Sequence, residues 1–161
     1  MGRILVLADT HNKLPPRVIE LAGEADEVWH LGDVCAELIL DDLRAIGPPV
    51  VVVRGNCDSN SEWPLVIDLE RAGLKLRLQH IPPDRPPADV NIVLHGHTHV
   101  PRNEKLAGVL FLNPGCVTLT VIKHHIWRSK VAQRFVVRCE CSRIHIECNI
   151  FTIIRPKIIA G

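Results

Sequence analysis

The fold can be read outward from one stretch, Ile4-Leu5-Val6-Leu7-Ala8-Asp9-Thr10-His11, in which five apolar residues end at a carboxylate and an imidazole. A continuous apolar run of this length is typical of a parallel strand that is buried on both faces. The same order returns in residues 28–33, which end at Gly32-Asp33, and in residues 50–58. Each run therefore predicts a buried strand that leads into polar residues.

Two segments with helical spacing separate these three runs. Residues 14–25 carry apolar side chains on one helical face, and residues 35–46 do the same before the stop Gly47-Pro48-Pro49. Alternating strands and helices predict a parallel sheet with right-handed crossovers. Ligands bind beyond the carboxyl ends of the strands in such sheets, which is where the polar residues fall.

After residue 58 the pattern changes to strands without intervening helices. Alternation and short apolar runs predict strands over 66–69, 74–78, 90–95 and 109–112. The region from 117 onward is β-rich, and we expect its four strands, over 117–122, 131–137, 144–150 and 151–159, to complete a second sheet. The length suits one domain covering residues 1–161.

Composition narrows the class of protein further. The chain has 161 residues, of which 47% are hydrophobic, and a net charge of +1. No apolar stretch approaches the ~20 residues of a membrane helix, so we expect no membrane association. Six cysteines without a secretion signal predict reduced thiols in the cytoplasm. The region after residue 116 is basic, which permits nucleic-acid binding but fits an exposed arginine face of a sheet better.

Polar side chains at the predicted strand ends form one candidate metal-ligand set. The members are two carboxylates, one amide and four imidazoles: Asp9, His11, Asp33, Asn56, His80, His97 and His99. A single ion does not need seven protein ligands, whereas two ions that share a carboxylate do. Two ions about 3.5–4 Å apart are the recurring device for displacement at phosphorus. Taken alone, His95-Gly96-His97-Thr98-His99 would fit a histidine-rich surface loop equally well.

These motifs resemble the calcineurin-like metallophosphoesterase family, and within it the branch of small YfcE-type phosphodiesterases. The matching motifs, in chain order, are Asp9-Thr10-His11, Gly32-Asp33, Arg54-Gly55-Asn56-Cys57-Asp58, Gly96-His97-Thr98-His99 and Asn113-Pro114-Gly115. The resemblance implies a four-layer α/β/β/α sandwich of two mixed sheets with a dinuclear site. It also implies that one ion is held by Asp9, His11 and His99 and the other by Asn56, His80 and His97, with Asp33 as the bridge.

The chain departs from the family pattern around the predicted substrate pocket. Where the family usually has T-H-G-H, this chain has Gln79-His80-Ile81-Pro82, so the glycine and the second histidine are absent. The segment after His80 is short and contains four prolines within residues 81–88. Cys116 stands where the family usually has serine. These departures concern the shape of the pocket more than metal binding.

The identity of a proton donor is left open. Larger relatives have histidine at the position of Cys57, whose thiol could donate a proton in principle but fits a packed, inert thiol better. His95 is a second candidate acid, although a role in supporting a ligand fits it better. Arg54 either neutralises phosphate charge or pairs with a neighbouring carboxylate. We interpret His30 as a residue of the core or of a sheet face.

The resemblance predicts a dimetal-dependent phosphodiesterase that cleaves small phosphodiesters by attack of a metal-bridging hydroxide. The catalytic residues would be Asp33, Asn56, His95 and Arg54. Mixed oxygen and nitrogen ligands suit Mn²⁺, and also Fe, Zn, Co or Ni. One alternative is a protein-interaction scaffold with a weak or inactive site, as in the retromer subunit that resembles this family. A nuclease is a further alternative, and a homodimer is compatible with the sequence.

Overall fold

The computed structural model describes residues 2–71, 73–117, 134–138 and 144–149. The helices and strands of this part follow in the order β1 Gly2–Leu7, α1 Pro16–Gly23, β2 Glu27–His30, α2 Leu38–Ile46, β3 Val50–Val52, β4 Val66–Arg71, β5 Leu74–Gln79, β6 Ile92–Leu94, β7 Arg102–Leu106, β8 Val109–Asn113, β9 Arg134–Arg138 and β10 Ile144–Asn149. The predicted β-α-β-α-β opening is confirmed. The strands predicted over 117–122 and 151–159 lie outside the described residues, apart from Val117.

The first sheet has the strand order β3-β2-β1-β10-β9. β1, β2 and β3 run parallel, as the alternation of strands and helices predicts. β10 runs parallel to β1 on its other side, with Gly2 opposite Ile144, and β9 pairs antiparallel with β10. The expectation that the strands predicted over 131–137 and 144–150 join the second sheet is therefore wrong. A central strand such as β1 needs partners for its backbone N–H and C=O groups on both sides, and β10 supplies the second set.

The second sheet has the order β4-β5-β6-β8-β7. β5, β6 and β8 are parallel, while β4 and β7 close the two edges as antiparallel partners. β7 was not predicted, because its sequence Arg-Asn-Glu-Lys-Leu shows no apolar alternation. Its side chains are mostly exposed, as an edge strand permits.

The core lies on both faces of β1. Alternation along this strand sends Ile4 and Val6 toward the second sheet, where they pack with residues such as Leu78 and Leu94. Leu5 points the other way, into the cluster formed with the two helices. The result is a layer of helices, then two stacked sheets, which confirms the α/β architecture with two mixed sheets. Within the described residues, helices cover only the first sheet.

Both helices are short and amphipathic. α1 begins with Pro16, whose missing N–H is not needed in a first turn. α2 ends at Ile46 and is capped by Gly47, which has a φ of 122° that side-chain-bearing residues rarely adopt. None of the helices described here has the length and the apolar character that crossing a membrane requires.

Candidate metal centre

The seven candidate ligands meet where the carboxyl ends of the two sheets come together. Asp9 and His11 follow β1, Asp33 follows β2, and Asn56 lies beyond β3. From the second sheet, His80 directly follows β5, and the loop with His97 and His99 follows β6. The parallel strands of each sheet therefore place all seven side chains at the edge formed by their carboxyl ends. The side chains form two groups, and Asp33 belongs to both.

The first group contains Asp9, His11, His99 and Asp33. The Nε2 atoms of His11 and His99 are 3.3 Å apart, and the Nε2 atom of His99 is also 3.3 Å from Asp9 Oδ1. One donor atom from each of the four residues lies within 4.8 Å of the others. Burial and the nearby His11 lower the pKa of His99, so its ring is held in the neutral form that metals require.

The second group is centred on Asn56 Oδ1. This oxygen lies 2.9 Å from His97 Nδ1 and 3.0 Å from His80 Nε2, and Asp33 Oδ1 is 3.3 Å from the same His80 nitrogen. The other nitrogen of His80, Nδ1, lies 2.8 Å from the backbone oxygen of Leu31, which can only accept, so Nδ1 carries the proton. Burial lowers the pKa of His80 and keeps it neutral. Its Nε2 lone pair therefore faces two oxygen acceptors, an arrangement that a cation would satisfy.

Asp33 belongs to both groups. Its Oδ1 accepts a hydrogen bond of 2.9 Å from the backbone N–H of Cys57, which fixes the carboxylate between the loops after β2 and β3. Burial opposes ionisation of Asp33, but the bond from Cys57 and the neighbouring His80 hold its pKa below the usual value. Asp33 is therefore an ionised carboxylate in a position to serve both groups.

Asp9 gives the clearest sign that the site is built for cations. Its side chain is completely buried, yet no well-formed hydrogen bond from a described residue reaches either carboxylate oxygen. Burial, together with the charge of Asp33, raises the pKa of Asp9 to about 7. Buried polar atoms are almost always satisfied in native structures, so two orphaned oxygens indicate a missing positive partner. The residues present fit divalent cations.

Asp58 supports the candidate centre through contacts that the motif did not reveal. Its carboxylate accepts three backbone N–H groups, from Asp33 at 2.9 Å, Cys35 at 2.8 Å and Gly55 at 2.7 Å. The carboxylate thereby joins the loop after β2 to the loop after β3 and fixes the backbone of Asp33. An acidic residue placed just past a strand end is the signal that could have identified it.

His30 and Thr10 form a buried link between the loops after β1 and β2. The Nδ1 atom of His30 accepts the N–H of Gly32 at 3.2 Å, so the proton is on Nε2, which donates to Thr10 Oγ1 at 3.0 Å. Burial lowers the pKa of His30 to about 4, which keeps this neutral form at physiological pH. Of the two positions considered for His30, the core and a sheet face, the structure shows the core, and from there His30 supports the candidate centre.

Two motif glycines allow the loops to approach each other. A Cβ atom on Gly55 would collide with the backbone nitrogen and Oδ1 of Asp33. A Cβ atom on Gly96 would lie 2.9 Å from Ala8 Cβ and 3.0 Å from Asp9 Oδ2. The contact with Ala8 is closer than Cβ atoms come in real structures and the contact with Asp9 is at that limit, so glycine is favoured strongly at both positions.

The backbone is strained at the candidate ligands themselves. Five of the seven have a positive φ, between 43° and 67°, a region that residues other than glycine rarely adopt: Asp9, His11, Asp33, His97 and His99. Such conformations cost on the order of 1–3 kcal/mol each and cluster at functional sites. These backbone conformations direct the five side chains toward the candidate centre.

The three remaining predicted residues lie around this centre. His95 is buried at 1% exposure, with its ring against Phe111 and its Nδ1 3.1 Å from the backbone oxygen of Gly96. Cys57 is exposed, so the expectation of a packed thiol is wrong, because its side chain projects from the loop beyond β3. Partial desolvation and the Asp33 carboxylate raise the pKa of its thiol to about 11, so it remains protonated.

Arg54 keeps its guanidinium group available for an anion. Its Nη1 donates to the backbone oxygen of Ser61 at 3.3 Å, and among the described residues it forms no ion pair. The alternative in which it pairs with a neighbouring carboxylate is therefore not observed in this part of the chain. Arg54 instead lines a cavity of about 470 Å³ beside the second group, together with Gly55, Asn56, Asp58, Leu65, Val66, Gln79, His80 and Ile81.

Comparison with known proteins places this geometry in a family. The model of the calcineurin-like phosphoesterase superfamily domain matches residues 3–133. Phosphodiesterase YfcE of Escherichia coli strain K12 is 30% identical over an alignment of 150 residues that covers 74% of this chain and 81% of YfcE.

Two solved structures give the same picture. The E. coli YfcE structure matches with a TM-score of 0.62 and 27% identity, covering 71% of this chain and 79% of that one. Vps29 from Entamoeba histolytica, solved in complex with Zn²⁺, also has a TM-score of 0.62 and 27% identity, over 71% of this chain and 74% of its own.

Proposed function

Because the chain belongs to the calcineurin-like phosphoesterase superfamily, we propose that it is a dimetal-dependent phosphodiesterase that hydrolyses small phosphodiesters. This membership confirms the family that the sequence motifs predicted. It also confirms the prediction that the protein is a metal-dependent phosphoesterase. The number of ions, the ester class and the residue roles belong to the proposal.

The observation that carries the proposal is the division of seven donors into two groups with Asp33 in common. In this proposal Asp9, His11 and His99 hold one ion, Asn56, His80 and His97 hold the other, and Asp33 contributes to both. The carboxylate oxygens of Asp9, which accept no well-formed hydrogen bond, and the unprotonated Nε2 of His80 support it, because a cation would satisfy them. Nitrogen and oxygen donors in this mixture suit Mn²⁺, although Fe, Zn, Co and Ni also accept them.

Bound divalent ions would lower the pKa of water and neutralise charge at phosphorus. The chain's own residues would orient the ester: Arg54, on the rim of the cavity, can donate to the non-bridging phosphate oxygens. Hydrolysis adds the oxygen of water to phosphorus, breaks one P–O ester bond and gives a proton to the departing oxygen. The thiol of Cys57 and the buried ring of His95 are the candidate proton donors. Neither is well suited, so we expect a preference for stable leaving groups.

The test combines metal analysis with turnover of bis-4-nitrophenyl phosphate. The proteins are the wild type, Asp33→Asn, and Asp42→Asn as a matched control on the exposed face of α2. We expect two ions per chain and turnover in the wild type and the control, and at least a hundredfold loss of kcat in Asp33→Asn. A wild type that binds no metal and turns over no faster than Asp33→Asn would refute the proposal.

The alternative is a protein-interaction scaffold, and the structural similarity to Vps29 is the observation that favours it. Metal binding alone does not separate the two functions, because that Vps29 structure was itself solved with Zn²⁺. Turnover does separate them: a scaffold would bind metal without hydrolysing the ester. The nuclease alternative rests on the basic tail, most of which lies outside the described residues. A cytoplasmic location and a homodimer remain part of the proposal.

A further inference from the structure

The cavity beside the second group has an apolar wall. Leu65, Val66 and Ile81 line it, and their exposed fractions are 58%, 46% and 53%. Large apolar side chains that are exposed singly are common on proteins, but three around one cavity indicate a surface that contacts a ligand. Leu65 and Val66 come from the start of β4, and Ile81 follows β5, so the pairing of these two strands brings them together.

The same cavity is also lined by polar residues, two of which belong to the candidate centre. Asn56 and His80 lie there, and Arg54 supplies a positive charge. A phosphate bound between these three residues would direct an attached organic group toward Leu65 and Ile81. Ile81 occupies the position at which the family motif T-H-G-H has glycine, so this part of the apolar wall arises from a departure of this chain from its family.

Two further polar residues of the lining, Asp58 and Gln79, make hydrogen bonds within the chain. Both carboxylate oxygens of Asp58 accept backbone N–H groups, and the side-chain nitrogen of Gln79 donates to the backbone oxygen of Ile81. The cavity volume of about 470 Å³ lies within the range of small-molecule sites.

We propose that this cavity binds an apolar organic group of the phosphodiester substrate, of the size of a phenyl ring, while Arg54 and the candidate centre hold the phosphate. This inference rests on the proposed function and adds the substrate class: phosphodiesters with an aryl or similarly apolar substituent.

The test compares phenyl phosphate with methyl phosphate, two monoesters that share the phosphate and differ in the organic group. Dissociation constants for both are measured by calorimetry on the Mn²⁺-loaded protein. The variants are Leu65→Asn and Ile81→Asn. The control is Leu106→Asn, which changes a leucine of similar exposure (43%) on β7, at the far edge of the same sheet. Thermal unfolding checks that each variant is folded.

In the wild type and the control, phenyl phosphate should bind about tenfold more tightly than methyl phosphate, as expected when a ring enters a hydrophobic pocket. In Leu65→Asn and Ile81→Asn the ratio should fall below about threefold. A ratio near one in the wild type, or a ratio that neither variant changes, overturns the inference.

The two proposals fail in different ways. If the protein hydrolyses bis-4-nitrophenyl phosphate but binds both monoesters equally, the inference of an apolar subsite is wrong and the proposed function stands. Suppose instead that the wild type prefers phenyl phosphate, loses this preference in Leu65→Asn and hydrolyses no diester. In that case the apolar subsite stands and the proposed function is wrong. The binding experiment needs metal and phosphate bound at the centre but no turnover, so it tests the cavity separately from hydrolysis.

Discussion

Replacing Asp9 by Asn should stabilise the metal-free protein at pH 8 while it weakens metal binding. In the metal-free chain the carboxyl group is buried and its pKa is raised from 3.8 to about 7. At about 1.4 kcal/mol for each pH unit between these values, ionised Asp9 destabilises the folded state by about 4 kcal/mol above pH 7. A buried, poorly bonded amide costs about 2 kcal/mol in its place, so the net gain is about 2 kcal/mol. Asparagine also tolerates the φ of 55° at this position.

The dependence on pH has a defined sign. Folded Asp9 holds its proton more tightly than the unfolded chain does, so the stability of the wild type falls as the pH rises from about 4 to about 7. Asparagine does not titrate. The variant should therefore match the wild type at pH 5 and exceed its free energy of unfolding by about 2 kcal/mol at pH 8.

The assay is urea unfolding of both proteins in the presence of a chelator, at pH 5 and pH 8. The same measurement with Mn²⁺ in place of the chelator should reverse the order at pH 8, because binding to the folded state stabilises the wild type more. Equal stability of the two metal-free proteins at pH 8 would refute this account of the Asp9 environment, as would a difference that is larger at pH 5.

Three further predictions concern the residues that hold the loops. Asp58→Ala should lower the free energy of unfolding by about 3–5 kcal/mol, because three backbone N–H groups lose a charged acceptor, and a change below 1 kcal/mol in urea unfolding would contradict this. Gly55→Ala should abolish metal binding, which elemental analysis measures, because the new Cβ would collide with Asp33. The control Gly23→Ala should retain metal binding, because its Cβ would make an ordinary contact of 3.7 Å. Thr10→Val should cost about 1–3 kcal/mol of unfolding free energy by leaving the His30 N–H unpaired, and Thr10→Ser should restore most of it.

The sequence predicts most directly the strands that are buried on both faces, while alternation and helical spacing predict β4, β5 and the two helices. β1, β2 and β6 appear as apolar runs, and each one ends in candidate ligands, so fold and site were readable together. β7 could not be found in this way, because an edge strand with exposed side chains needs only backbone pairing with β8. The place of β10 beside β1 depends on which edge is free after the chain has folded, which no local pattern records.

The site was predictable in its donors and less so in their supports. Candidate ligands are recognised by residue type at strand ends, and all seven lie in the two groups. The role of Asp58 depends on three N–H groups from two loops, one of which is 25 residues away in sequence. The apolar subsite likewise joins Leu65 to Ile81 across the β4–β5 pair. Their sequence neighbourhoods showed only the start of a strand and a proline-rich segment.

The strained backbone at five candidate ligands bears on how such a protein can change over evolutionary time. Once selection for activity is relaxed, substitutions that release the left-handed conformations or remove the buried charge of Asp9 should make the chain more stable. Each such step is favoured by stability alone, and reversing it requires a less stable intermediate. Once a lineage had lost hydrolysis in this way, regaining it would therefore be difficult. A chain that retains all five residues in this geometry has taken none of these steps.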